Sequence, residues 1–137
     1  MISPRELRFH RYVFVASAIY NTIWGTFVVL FPLLPFRWAG LPDPNYPELW
    51  QCIGMIVGVY AIGYAYLAAD PIRYAPFLIV AFLGKIFGPI GWLIAWHNDR
   101  LPGITGLTIL TNDLIWWIPY GRFLWMTMGP GARQGSR

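Results

Sequence analysis

The chain of 137 residues is 57% hydrophobic, 18% aromatic and only 12% charged, where an ordinary soluble domain carries about 25% charged residues. Its ten Lys and Arg against six Asp and Glu leave a net charge of +4, too small and too scattered to track a phosphate backbone, which excludes nucleic acid as a partner. Cys52 is the sole cysteine, so one chain holds neither an internal disulfide nor a cysteine-based metal cluster.

The length suits one all-α transmembrane domain over residues 1–137, because four crossings of about 20 residues each account for the apolar share. The first crossing is expected over residues 12–31, from Tyr12 to Phe31, a run without a formal charge that Pro32 and Pro35 punctuate. Ala16-Ser17-Ala18 has the small-residue pattern of a signal-peptidase site, but the apolar run continues past it, so a retained crossing is expected. Gly40, Pro42, Asp43, Pro44, Asn45 and Pro47 then mark an irregular connection with Trp38 and Trp50 near the interface.

A second crossing is expected over 49–69 and a third over 75–96, joined by Asp70-Pro71, a helix-start pair of capping carboxylate and first-turn proline. His97-Asn98-Asp99-Arg100 and Pro102-Gly103 make the next turn, and a fourth crossing is expected over 104–120, with Pro119 placed to kink it. A flexible tail is expected over 129–137.

Orientation follows from the basic residues. Arg5, Arg8, Arg11, Arg73, Arg122, Arg133 and Arg137 fall on one side, and only Arg37 and Arg100 on the other. The excess of positive charge on the cytoplasmic side then puts both termini in the cytoplasm. Trp38, Trp50, Trp92 and Trp96 at the outer ends, and Tyr12, Tyr66, Tyr74, Tyr120 and Trp125 at the inner ends, make the two aromatic belts.

Lys85 is the anomaly, since a lysine at a helix centre costs about 2.5–3.5 kcal/mol on insertion scales unless it finds a partner. Counted from Trp96 and Ile104, Lys85 and Asp113 lie at matching depths of roughly 14 to 17 Å below the outer surface. A direct or water-bridged Lys85–Asp113 contact is therefore expected between neighbouring antiparallel helices. Asn21 and Asn112 reach a similar depth, so Asn21, Lys85, Asn112 and Asp113 form the candidate binding cluster at the midplane. It reads either as a structural clasp or as a small polar chamber for a headgroup, an ion or a proton.

Gly54-x-x-x-Gly58 and Gly84-x-x-x-Gly88 are expected to be helix-packing ridges. Pro89 frees the carbonyl of Lys85 for a neighbour or a cavity. Tyr20, Trp24, Tyr60 and Tyr64 are candidate cavity walls, with packing the more common use of such stripes. His10 and His97 are placed at opposite membrane faces and cannot together ligate a haem or a metal. Gln51 and Cys52, at the outer start of the second crossing, read as packing residues. No catalytic residue, metal ligand or cofactor is assigned, because one Asp with one Lys is a thin inventory for acid–base chemistry.

In layout, with Gly25 and Pro32 in the first crossing and Gly54 and Gly58 in the second, the chain resembles the DoxX-like group of small four-helix bacterial membrane proteins. That resemblance implies an accessory role in the bacterial inner membrane, as a membrane subunit or a partner of a redox system, more than a reaction of its own. The small multidrug transporters share the span count, but their central carboxylate in the first crossing is replaced here by Asn21. The reading is a binding or accessory subunit surrounded by membrane lipid, in a homo-oligomer or larger membrane complex. A small carrier for an amphipathic or anionic molecule is the alternative, and a lipid-modifying enzyme the third.

Overall fold

Ser3 and Pro4 begin the first helix before the uncharged run does. The Ser3 hydroxyl accepts a hydrogen bond from the Glu6 amide at 3.2 Å, and Pro4 occupies the first turn, where an amide would have no helical partner. The computed structural model describes residues 2–129. Helix α1 is Pro4–Leu30, α2 is the short Leu34–Trp38, α3 is Pro47–Ala69 and α4 is Ala75–His97. A 3₁₀ turn at Gly103–Thr105, α5 at Gly106–Ile109, a π-turn at Leu110–Leu114 and α6 at Ile115–Met128 complete the chain. Among the described residues there is no strand. Arg133, Arg137 and all of the expected tail except Gly129 lie outside the described residues.

Three helices, α1, α3 and α4, are long and apolar enough to cross a membrane. This is consistent with an integral membrane protein, as is an outer surface rich in large apolar side chains such as Ile23, Val59, Ile62 and Ile118. The fourth expected crossing differs from its sequence reading. Instead of one regular helix over 104–120, the chain is helical from Gly103 to Met128 in four pieces of changing pitch. Thr105, Thr108 and Thr111 hydroxyls donate to carbonyls of the preceding turn, at Pro102, Thr105 and Leu107. Such bonds compete with the regular helical ladder, and Pro119 removes one further amide from it.

Helices α1 and α3 pack backbone to backbone. A Cβ on Gly25 would stand 2.6 Å from the Gly54 carbonyl oxygen and 2.8 Å from the Gly58 nitrogen, so backbone lies directly on backbone. Gln51 adds a bond across the same seam, its amide donating to the Val29 carbonyl at 2.8 Å. Cys52, expected to pack, is instead exposed, because the neighbouring Gln51 takes the inward position. Of the pair Gly84 and Gly88, only the second meets a neighbour: a Cβ at Gly84 would meet nothing within 4 Å, whereas one at Gly88 would stand 3.0 Å from the Asp113 carboxyl group.

All four long segments meet in one core made of Phe14, Tyr64, Leu67, Leu78, Ala81, Trp116, Tyr120 and Phe123. Within it the Tyr120 hydroxyl donates to Ser17 Oγ at 2.7 Å, and Ser17 donates to the Val13 carbonyl at 2.8 Å, tying α6 to α1. Arg122 and Glu6 pair at 2.5 Å at the same end of these two helices. Asp70 ends α3 and accepts from the Arg73 amide at 3.1 Å inside the turn, so Asp70-Pro71 is not the expected start of the next helix: α4 begins at Ala75 after Tyr74, which makes no side-chain cap, and its first-turn proline is Pro76. At the opposite end, Arg37 grips Asp43 through two nitrogens at 3.1 and 2.9 Å. This fork raises the Arg37 pKa and lowers that of Asp43, through hydrogen bonding first and charge attraction second.

Candidate functional site

Lys85 is set by α4 so that its side chain is only 8% exposed, and Asp113 by the π-turn so that its own is 5% exposed. Their charged atoms, Lys85 Nζ and Asp113 Oδ1, are 3.8 Å apart. The shorter bond from the ammonium goes elsewhere, to the backbone carbonyl of Asn112 at 2.5 Å. Asn112 also turns its amide nitrogen onto Asp113 Oδ1 at 3.1 Å. The cluster is thus one cation held by a carbonyl and a carboxylate, with the carboxylate also held by an amide. Two ions taken from water into a low-dielectric interior require such extra bonds to be tolerated.

Local backbone chemistry explains how the residues meet. Pro89 has no amide hydrogen, so the carbonyl of Lys85 loses its helical partner. Trp117 supplies the replacement, its indole N–H donating to Lys85 O at 3.0 Å. The result is that Lys85 is held twice by the fourth segment, through its carbonyl and through its ammonium. Residues 110–114, which carry Asn112 and Asp113, form the π-turn, a wider turn that arises often at functional sites. Gly88 completes the fit, since the Asp113 carboxyl group occupies the space beside its bare Cα.

Three of the four expected cluster residues, Lys85, Asn112 and Asp113, are bonded to one another. Asn21 is buried, at 3% exposure, but its amide donates to the Ser17 carbonyl one turn earlier in its own helix, at 2.8 Å. The candidate wall residues are distributed among separate aromatic contacts. Tyr20 meets Trp116 edge-on and donates to Thr111 Oγ1 at 3.4 Å; Trp24 meets Trp50; Tyr60 packs on Phe77; Tyr64 packs on Phe77 and Tyr120. Buried polar atoms without a partner include Asn112 Oδ1 and Trp116 Nε1.

No family model, curated protein or solved structure matches the chain. Its function therefore rests on its own residues. Among the described residues no three His, Cys, Asp or Glu side chains gather as a metal would need. His10 lies fully buried in a box of Phe9, Phe14 and Phe123, its Nδ1–H donating to the Glu6 carbonyl at 2.9 Å.

The Trp117 bond, the π-turn and the His10 box were missing from the sequence reading. Pro89 signalled that a carbonyl would need a partner but carried no sign of which indole would provide it. Nothing in a run of apolar, Thr and Asn residues distinguishes a π-turn from an α-turn. A histidine among arginines at a membrane boundary reads as solvated until the packing of Phe123 on it is known.

Proposed function

We propose that this chain is a four-span protein of the bacterial inner membrane, with both termini cytoplasmic, and that it acts as a binding or accessory subunit and not as an enzyme. In this reading Gly103–Met128 is the fourth crossing, and the Lys85–Asn112–Asp113 cluster is a clasp that fixes it against α4. The observation that carries the reading is the full engagement of Lys85: its ammonium is held by Asn112 O at 2.5 Å and faces Asp113 at 3.8 Å, and its carbonyl is held by Trp117. A lysine that delivers or removes a proton needs a free approach to substrate. One held in this way fixes helices.

The apolar outer surface is suited to lipid and to the helices of other chains, in a homo-oligomer or a larger complex. A second reading, the carrier of an amphipathic or anionic molecule, is favoured by one observation, the buried and unpartnered Asn112 Oδ1 beside the ion pair.

One experiment separates the two. The double variant Lys85→Met with Asp113→Leu is reconstituted in proteoliposomes loaded with a fluorescent alkyl sulfonate, and release is compared with wild type. An accessory subunit shows the same passive release in both. Protein-dependent release by the wild type that vanishes in the folded double variant replaces the clasp with the carrier.

A further inference from the structure

One face of α1 is exposed along most of its length. Arg5, Arg8, Tyr12, Val15, Ile19 and Ile23 are all exposed, and their steps of three and four residues keep them on one side of the helix. His10, Phe14, Ser17, Asn21, Gly25 and Val28, the buried residues, make the opposite side. The exposed stripe changes character once, at Tyr12: cationic before it, apolar after it.

Arg11, also exposed, stands three residues beyond Arg8, so three guanidinium groups gather over about two turns. The four ion pairs among the described residues use His10, Arg37, Lys85 and Arg122 as their basic members, and none of these three arginines. Glu6, the one carboxylate of α1, is already bonded to Arg122. At the other end of the molecule, by contrast, Arg37 is matched by Asp43. Like charges three residues apart repel one another, and a guanidinium cannot shed its proton to relieve the repulsion. Arg5, Arg8 and Arg11 thus form an uncompensated cationic cluster at the head of an apolar stripe.

We propose that this stripe is the binding site of one anionic phospholipid, whose phosphate is held by Arg5, Arg8 and Arg11 and whose acyl chain lies along Tyr12, Val15, Ile19 and Ile23. The depths agree. Tyr12 begins the uncharged run, so Arg11 and Arg8 stand about 2 and 6 Å beyond it, within a headgroup layer of about 5–7 Å, and Arg5 closes the site from the water side. Tyr12 to Ile23 is about 16 Å of helix, close to one leaflet of a hydrocarbon core of about 30 Å. Guanidinium groups match phosphate oxygens with paired bonds. A phosphate without an attached ammonium is favoured, because α1 has no free carboxylate to receive one. The site rests on reading α1 as a membrane crossing, and it depends neither on the clasp nor on which face of the membrane the arginines meet.

The test uses the full-length protein purified in a neutral detergent, where the substitutions cannot act through orientation in the membrane. Phosphatidylglycerol and phosphatidylcholine with identical acyl chains are titrated in, and bound lipid is counted by native mass spectrometry. The wild type is expected to bind its first phosphatidylglycerol at least about ten-fold more tightly than phosphatidylcholine. Arg8→Gln is expected to weaken phosphatidylglycerol binding about five-fold, and the triple change of Arg5, Arg8 and Arg11 to Gln to abolish the preference. Arg100→Gln removes one charge from the turn after α4 and is expected to leave the preference unchanged. Glycerol phosphate, the same phosphate chemistry without acyl chains, is expected to bind at least about ten-fold more weakly than the lipid. Since the three arginines pair with no carboxylate, the lipid-free variants are expected to unfold at the wild-type midpoint.

Equal affinity of the wild type for the two lipids overturns the proposal. So does an equal loss in Arg8→Gln and Arg100→Gln, which would make the preference an effect of net charge. Glycerol phosphate binding as tightly as the lipid also overturns it, in favour of a soluble phosphate. Alkaline carbonate extraction of membranes tests the crossing on its own. Retained protein without a lipid preference refutes only the site, whereas released protein refutes the membrane reading and the site with it.

Discussion

Replacing Lys85 by Met leaves the Asp113 carboxylate buried with only the Asn112 amide, and leaves the Asn112 carbonyl without its donor. Replacing Asp113 by Leu leaves the ammonium buried with only that carbonyl. Removing one partner from a buried ion pair costs about 3–5 kcal/mol, while replacing both by apolar side chains of similar volume is often neutral. Both side chains here are more than nine-tenths buried, so each single change is expected near about 3 kcal/mol, the lower end, because the unfolded reference in lipid also finds partners. The double change is expected to cost about 1 kcal/mol or less, mainly for the orphaned Asn112 carbonyl. The coupling energy is then about 5 kcal/mol, beyond the usual range for neighbouring residues. Reversible unfolding in mixed micelles, followed by tryptophan fluorescence, measures all four corners of the cycle. Additive costs, with the double variant the least stable of the four, would refute the clasp.

The Pro89–Trp117 arrangement gives a second cycle: Trp117→Phe is expected to cost about 1–2 kcal/mol by orphaning the Lys85 carbonyl, and less in a Pro89→Ala background, where the helix regains its own donor; equal costs in both backgrounds would contradict the assignment. At the α1–α3 seam, Gly25→Ala is expected to cost about 1–3 kcal/mol, since its Cβ would stand 2.6 Å from backbone, whereas Gly84→Ala is expected to leave the thermal midpoint unchanged or raised. For the connection between α2 and α3, the lowered Asp43 pKa means that its pairing with Arg37 stabilises the loop above the ordinary aspartate pKa and is lost as pH falls through the lower folded value. Proteolysis between Trp38 and Tyr46 is accordingly expected to quicken in that acid range, and the pH dependence to disappear in Asp43→Asn.

What the sequence made legible was set by physics that acts along the chain. The ends of α3 and α4 could be read to within a few residues because Asp70-Pro71 and the His97–Arg100 turn change local backbone preference, but Asp70-Pro71 closes α3 and does not open α4. The Lys85–Asp113 approach could be read because depth along a helix is arithmetic at 1.5 Å per residue. What escaped depends on rotation about helix axes, which depth does not fix. Asn21 has the right depth but bonds to Ser17, within its own helix. Each G-x-x-x-G pair has the spacing of a packing ridge, yet in each only one glycine turns its Cβ side to a neighbour: Gly54 to Gly25 and Val28 of α1, and Gly88 to the Asp113 carboxyl group, while the Cβ sides of Gly58 and Gly84 are open. The pitch changes between Gly103 and Leu114 come from Thr hydroxyls competing for carbonyls, a local choice that composition does not reveal.

The central claim is that Gly103–Met128 crosses the membrane, held by Lys85 of α4. Single cysteines introduced as Asp99→Cys and Met128→Cys, in a Cys52→Ser background, are labelled in sealed inside-out and right-side-out vesicles with a membrane-impermeant maleimide. The account predicts labelling of Asp99→Cys only from the outer face and of Met128→Cys only from the cytoplasmic face. Labelling of both positions from the same face would contradict it.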